Sequence, residues 1–219
     1  MRFTGINHLA LATGDMDATI RYWRDLLGLR LVAGLGHPGY RHYFFELTAQ
    51  DMIAFFEWPG VAPGPDKDHG APVRGPFTFD HISFGLADED ELWTLRDRLE
   101  AAGFWVSEVV DHGFIHSLYS FDPNNIAVEF SVPVPGVDLR ARPVMADSEP
   151  TALARQGAEP VPGAWPAVAR PTPKAERRTY PGEGLRLVGK EPVPPADHND
   201  DHNGNDDDAP RKSGGLRHV

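Results

Sequence analysis

No cysteine occurs among the 219 residues, so a disulfide framework, a thiolate-held zinc or iron–sulfur centre and a cysteine nucleophile are all excluded. Any metal would have to be held by His, Asp or Glu. Basic residues are scarce: 21 Lys and Arg stand against 32 Asp and Glu, a net charge of -11. That charge repels phosphate backbones and argues against a nucleic-acid partner. No run approaches the roughly 18 apolar residues of a membrane span, and the first residues lack the apolar stretch of a signal peptide. The expectation is a cytoplasmic protein with no membrane partner.

Aromatic residues are unevenly spread. All 12 phenylalanines lie at or before Phe130, whereas 14 of the 21 prolines lie at or after Pro133. The sequence therefore predicts a folded unit over 1–132 and a tail over 133–219. The tail is Pro-rich, then Asp/Asn-rich around His198 and His202, and too poor in apolar surface to offset its ordering entropy. It is expected to be mostly disordered. Residues 1–132 carry 9 basic and 19 acidic side chains against 12 and 13 in the tail, so the excess acidity belongs to the folded part.

The folded part repeats itself, residues 3–60 against 77–132. Each unit opens with an apolar segment around a histidine, FTGINHLALAT at His8 and FTFDHISFGLA at His81. A helical pattern follows in each: Ile20, Trp23, Leu26 and Leu27 after the cap Asp15 and before Gly28; Leu92, Leu95 and Leu99 after a capping box at Asp88 and Glu91 and before Gly103. Three strand-like pieces complete each unit: LRLVAGL, RHYFFELT and MIAFFEWP, then FWVSEVV, HSLYSFD and IAVEFSV. The fold class is α+β, two paired β-α-β-β-β modules expected to pack side by side as a cupped sheet.

Counting along the repeat puts His8 in register with His81 and Glu57 with Glu129, at spacings of 49 and 48 residues. Two histidines and two carboxylates within apolar strands make a nitrogen/oxygen donor set suited to iron(II), manganese, nickel or zinc. An unpaired carboxylate buried in such strands would be costly. A lone strand histidine is more often a hydrogen-bonded structural residue, and the pairing is what favours a metal. His37, His42 and His116 are further histidines of the core; of these, His42, beside Tyr43, is the better placed for a cavity.

NHLAL, YWRDLLGL, FDHISF and FDPNNIAVEF resemble the vicinal oxygen chelate superfamily, which holds glyoxalase I, extradiol dioxygenases, fosfomycin resistance enzymes and bleomycin-binding proteins. The resemblance covers about 3–132 and implies a metal at the cavity floor and a homodimer, in some relatives with modules exchanged between chains. VVDHGFIHSLYSFDPNNIAVEF is similar to the extradiol dioxygenase signature, with Asn125 where that family has Gly or Pro. This implies His8, His81 and Glu129 on iron(II), with His112 and Tyr119 beside a small aromatic, catechol-like substrate. The set His8, Glu57, His81 and Glu129 resembles glyoxalase I instead, a nickel or zinc enzyme that moves a proton without oxygen, though no glutathione-binding cluster is evident. The resemblance also admits an acyl-thioester epimerase and a metal-free drug-binding module.

Overall fold

The computed structural model describes residues 3–73, 78–161, 163 and 165–190. Phe77 of the second repeat and the tail residues His198 and His202 lie outside them.

Each repeat forms a four-stranded mixed sheet. The first comprises β1 (His8–Thr13), β2 (Arg30–His37), β3 (Tyr40–Glu46) and β4 (Met52–Glu57) in the order β1-β4-β3-β2. The second comprises β5 (Ile82–Gly85), β6 (Val110–Asp111), β7 (Ile115–Phe121) and β8 (Ala127–Pro133) in the order β5-β8-β7-β6. In each, the first and last strands run parallel and the others pair antiparallel. The segment FWVSEVV pairs less than its sequence suggests. It contributes a bridge between Val106 and Ser120 and the short β6, because Ser107 spends its hydroxyl as acceptor for the Tyr119 N–H.

The helices begin where their caps are written. Asp15 accepts from the Ala18 N–H at 2.9 Å and opens α1 (Met16–Ile20). Asp88 accepts from Glu91 N–H at 2.9 Å, while Glu91 reaches back to the Ala87 N–H, opening α2 (Glu89–Ala101). The first helical segment continues from Arg21 to Leu26 as a π-helix, in which Leu27 N–H donates to the Tyr22 carbonyl five residues back. Gly28 and Gly103 end the two segments at φ of 84° and 83°, a conformation that glycine adopts without a Cβ clash.

The two modules meet through their helix-bearing faces. Trp23 is the pivot: its ring lies 5.6 Å from Phe55 of the first sheet and 5.5 Å from Phe84 of the second, and its Nε1 donates to Asp122. Leu92, Leu95, Leu99, Val128 and Phe130 complete one continuous core with Phe45, Ile53 and Phe55. Replacing Trp23 by alanine in such a core costs about 3–5 kcal/mol. Side chains alternate across a strand, so the opposite face of the first sheet carries His8, His42 and Phe44, and that of the second carries Ser83, Tyr119 and Glu129.

Beyond β8 the described chain forms three short 3₁₀ turns, Ala154–Gln156, Lys174–Glu176 and Glu183–Val188. The last packs against β2, with Glu183 and Leu185 half-buried between exposed neighbours. Among the described residues no helix is long and apolar enough to cross a membrane.

Candidate functional site

Strand pairing brings His81 and Glu129 together. β5 runs beside β8 with Ser83 opposite Glu129, and β7 places Tyr119 on the other flank of Glu129. His81, just before β5, holds its Nε2 2.9 Å from Glu129 Oε2. Glu129 is 4% exposed, and the Ser117 hydroxyl donates to its other oxygen. A carboxylate so enclosed needs such partners.

His112 and Tyr119 adjoin this pair. His112 rides the tight Asp111–Gly113 turn, where Gly113 N–H donates to Asp111 at 2.7 Å. Its Nε2 lies 2.8 Å from the Tyr119 hydroxyl. Burial pushes the Tyr119 phenol up, and the Glu129 charge adds to it, so this hydroxyl stays protonated at neutral pH. His81, His112, Tyr119 and Trp105 line a cavity of about 540 Å³. A larger cleft of about 740 Å³ runs along β2 beside His37 and Arg41, but it contains no carboxylate–histidine pair, so size alone does not select the site.

Three further residues stand around this cavity that the repeat pattern does not single out. His69, on the connection between modules, makes a 3.0 Å hydrogen bond from Nε2 to the Val128 carbonyl and lays its ring against Tyr119 and Phe121 at 4.7 and 5.0 Å. Burial draws its pKa down. Ser117 is the partner of Glu129, and Asp80 lies 2.5 Å from His81 Nδ1. For Asp80 a signal existed, since a carboxylate immediately before a candidate ligand is a common support for it. His69, isolated in a Gly/Pro-rich connection, gave no such signal.

His8 stands elsewhere. It is exposed on the first sheet, with Nδ1 2.9 Å from the Asn7 side-chain oxygen and its ring 5.7 Å from Phe44. Beside Phe44, His42 stacks on Phe56 at 3.6 Å, and its Nε2 is buried with no hydrogen-bond partner among the described residues. Desolvation pulls the His42 pKa down, and His8 adds to the effect. Tyr40, bonded to Glu183, is pushed up to about 12, chiefly by burial and then by that carboxylate. His116 pairs instead with Glu89, which raises its pKa, and His37 with the Pro38 carbonyl. Phe45 and Phe55 are core residues.

Glu57, like His8, is not gathered with His81 and Glu129. It lies on the helix-bearing face, where Oε1 accepts from the Met16 N–H at 2.8 Å and Oε2 pairs with Arg41. Pairing shows why. Ala10, two residues after His8, faces Ala54, whereas Ser83, two after His81, faces Glu129. The position matching Glu129 is therefore Ala54, and Glu57, three residues on, projects from the opposite face.

The donor set fits a divalent metal in part. An imidazole and a carboxylate at contact distance are a nitrogen/oxygen pair of the kind that binds iron, manganese, nickel or zinc. Among the described residues no group of three His, Asp or Glu converges on one point, so one chain assembles two donors.

The Glyoxalase/Bleomycin resistance protein/Dioxygenase superfamily description matches residues 5–130. The chain belongs to this superfamily. Its members include enzymes, typically dependent on divalent metals. The chain is 30% identical over 129 residues to glutathione transferase FosA of Serratia marcescens, covering 58% of this chain and 79% of that one. It is 26% identical over 135 residues to lactoylglutathione lyase of Haemophilus influenzae, covering 57% and 90%. The fold is also that of a glyoxylase/bleomycin resistance protein/dioxygenase domain from a Frankia species, with TM-score 0.51, 24% identity, and coverage of 62% of this chain and 96% of that one.

Proposed function

We propose that this superfamily member is a divalent-metal enzyme acting on a small molecule, with His81 and Glu129 of one protomer and His8 of the partner subunit as ligands in a homodimer. The 2.9 Å approach of His81 to Glu129 carries the reading. Because the modules of one chain meet through their helix-bearing faces, the Glu129 face and the exposed His8, on the part of the first sheet that the Glu183–Val188 turn leaves open, are available to a second copy. A two-fold axis that brings the first module of one copy to the second module of the other creates two identical sites.

A divalent metal held by His81, Glu129 and His8 of the partner subunit would supply Lewis acidity toward substrate oxygens. The chain's own groups do the rest. His112 Nε2 accepts a proton from a substrate hydroxyl or returns it, and the protonated Tyr119 donates a hydrogen bond at the same point. The rings of His69, Trp105 and Phe121 orient a planar ligand. Two donors from His and one from Glu, with the His112–Tyr119 pair alongside, favour extradiol-type dioxygenation of a catechol-like compound over the four-ligand glyoxalase I arrangement, since Glu57 is committed to α1 and Arg41. Oxygen uptake by the iron(II)-loaded protein with a panel of catechols tests this; no uptake with any of them contradicts it.

A second reading rests on the 30% identity to glutathione transferase FosA. In it the same residues would hold a divalent metal, and the thiol of glutathione would be joined to a small electrophilic molecule. Loss of free thiol from glutathione mixed with a panel of small electrophiles and the metal-loaded protein, without oxygen uptake, would select it.

A further inference from the structure

Both histidines of the proposed metal set are gripped in the same way. His8 Nδ1 meets the side-chain oxygen of Asn7 at 2.9 Å, and His81 Nδ1 meets that of Asp80 at 2.5 Å. In each module the residue immediately before the histidine supplies an acceptor. An acceptor at Nδ1 holds the ring proton there and commits Nε2 to be the ligating atom. In the second module the acceptor is itself held on two sides. Lys67 Nζ lies 2.6 Å from Asp80 Oδ2, and the Gly70 N–H donates to Asp80 Oδ1 at 3.0 Å.

Lys67 and Gly70 belong to the connection between the modules. The Lys67 side chain is only 9% exposed and donates also to the Asp68 carbonyl at 3.1 Å. His69 between them anchors on the Val128 carbonyl, next to Glu129 in β8. The connection is thus fastened at three points to the strand carrying Glu129 and to the residue beside His81. A tether that only joined two modules would need none of these bonds.

We propose that Asp80 is a positioning residue, fixed by Lys67 and Gly70, that sets the tautomer and direction of the His81 ring, so that the inter-module connection is a working part of the site. The inference rests on the metal reading above for its consequence, but the ring's tautomer is a property of the metal-free chain. Asn7 does the same for His8 with an uncharged oxygen, which makes the second module the more strongly organised half.

The experiment uses the full chain, cobalt(II) as the probe metal, and the variants Asp80→Asn, Asp80→Ala, Lys67→Met and His81→Ala. In the metal-free protein Glu129 Oε2 also faces the ring, 2.9 Å from Nε2, so long-range ¹H–¹⁵N spectra are expected to show a proton held on His81 Nδ1 whatever Nε2 carries, and to show Nδ1 losing it in Asp80→Ala, where Nε2 is the nitrogen left facing a carboxylate. Cobalt affinity should fall about 10- to 100-fold in Asp80→Ala, the range typical for loss of such a support, less in Asp80→Asn, which keeps an oxygen acceptor, and less again in Lys67→Met. An Asp80→Ala protein with wild-type cobalt affinity and an unchanged His81 ring overturns the proposal. Should Asp80→Ala fail to fold, the same unchanged affinity and ring in Asp80→Asn and Lys67→Met together overturn it. Cobalt binding that survives His81→Ala overturns the metal site instead, and the tautomer spectra then decide the role of Asp80 alone.

Discussion

His112 Nε2 and the Tyr119 hydroxyl lie 2.8 Å apart, beside the buried Glu129. A histidine able to take a proton, next to a phenol that keeps its own, is a pair suited to moving one proton at a bound oxygen. Tyr119→Phe is expected to lower turnover about 100-fold, at the lower end of the range for loss of a positioned proton-transfer group, with bound metal unchanged. Oxygen uptake and metal analysis on the same preparation check this; unchanged turnover would remove Tyr119 from the chemistry.

Glu57 is a structural anchor. Its bonds to the Met16 N–H and Arg41 fasten the start of α1 to the end of β4. Glu57→Gln should cost about 2 kcal/mol, the scale of a charge-assisted hydrogen bond, and leave metal content at the wild-type level. Urea unfolding and metal stoichiometry measure the two effects. Loss of metal in the variant would restore the four-ligand, glyoxalase-like set.

Much of the fold was legible. Asp15, Asp88, Gly28 and Gly103 mark the helix ends because caps and left-handed stops are local chemistry, and Asn125 takes φ of 60° as its turn requires. The buried position of Glu129 in its strand was legible, whereas the position matching it in the first repeat was not, because the count began at the histidines. Twenty residues separate His8 from Gly28 and 22 separate His81 from Gly103, but from each glycine it is 26 residues to Ala54 and to Glu129. Counted from the helix stops, the repeat gives Ala54; counted from the histidines, the spacing of 48 gives Phe56, and the nearest carboxylate, Glu57, lies three residues from Ala54, an odd number that turns it to the other face. The linker residues Lys67 and His69 were not legible, because their roles depend on where a loop crosses a sheet.

Asp122 offers a pH test. Burial raises its carboxyl, outweighing the bonds it accepts from Ile126, Asn124 and Trp23. A raised carboxyl gives stability that is complete below the ordinary value of 3.8 and lost as pH rises through the folded-state value. The stability of the wild type relative to Asp122→Asn should therefore fall with pH over that window and level off above it. Urea unfolding of both proteins from roughly pH 3 to 7 measures the difference; a difference that grows with pH would contradict the assigned direction.

The turn Glu183–Val188 covers Tyr40 on the first sheet. Removing residues 140–219 should leave one cooperative unfolding transition, because among the described residues the core contains none beyond Val132. It should also open the His42 face, so that His42 becomes reactive toward diethyl pyrocarbonate, read by peptide mass mapping. Equal protection of His42 in both proteins would mean that the turn does not shield it.

The most direct test of the shared site is complementation. His8→Ala and His81→Ala homodimers should each bind no metal. Unfolded together and refolded as an equal mixture, they form heterodimers in which one site keeps an intact His8 and an intact His81. Random pairing then restores about a quarter of the wild-type metal content. Recovery near that level supports a metal held between two copies; a mixture as empty as its components, with heterodimers present, would contradict it.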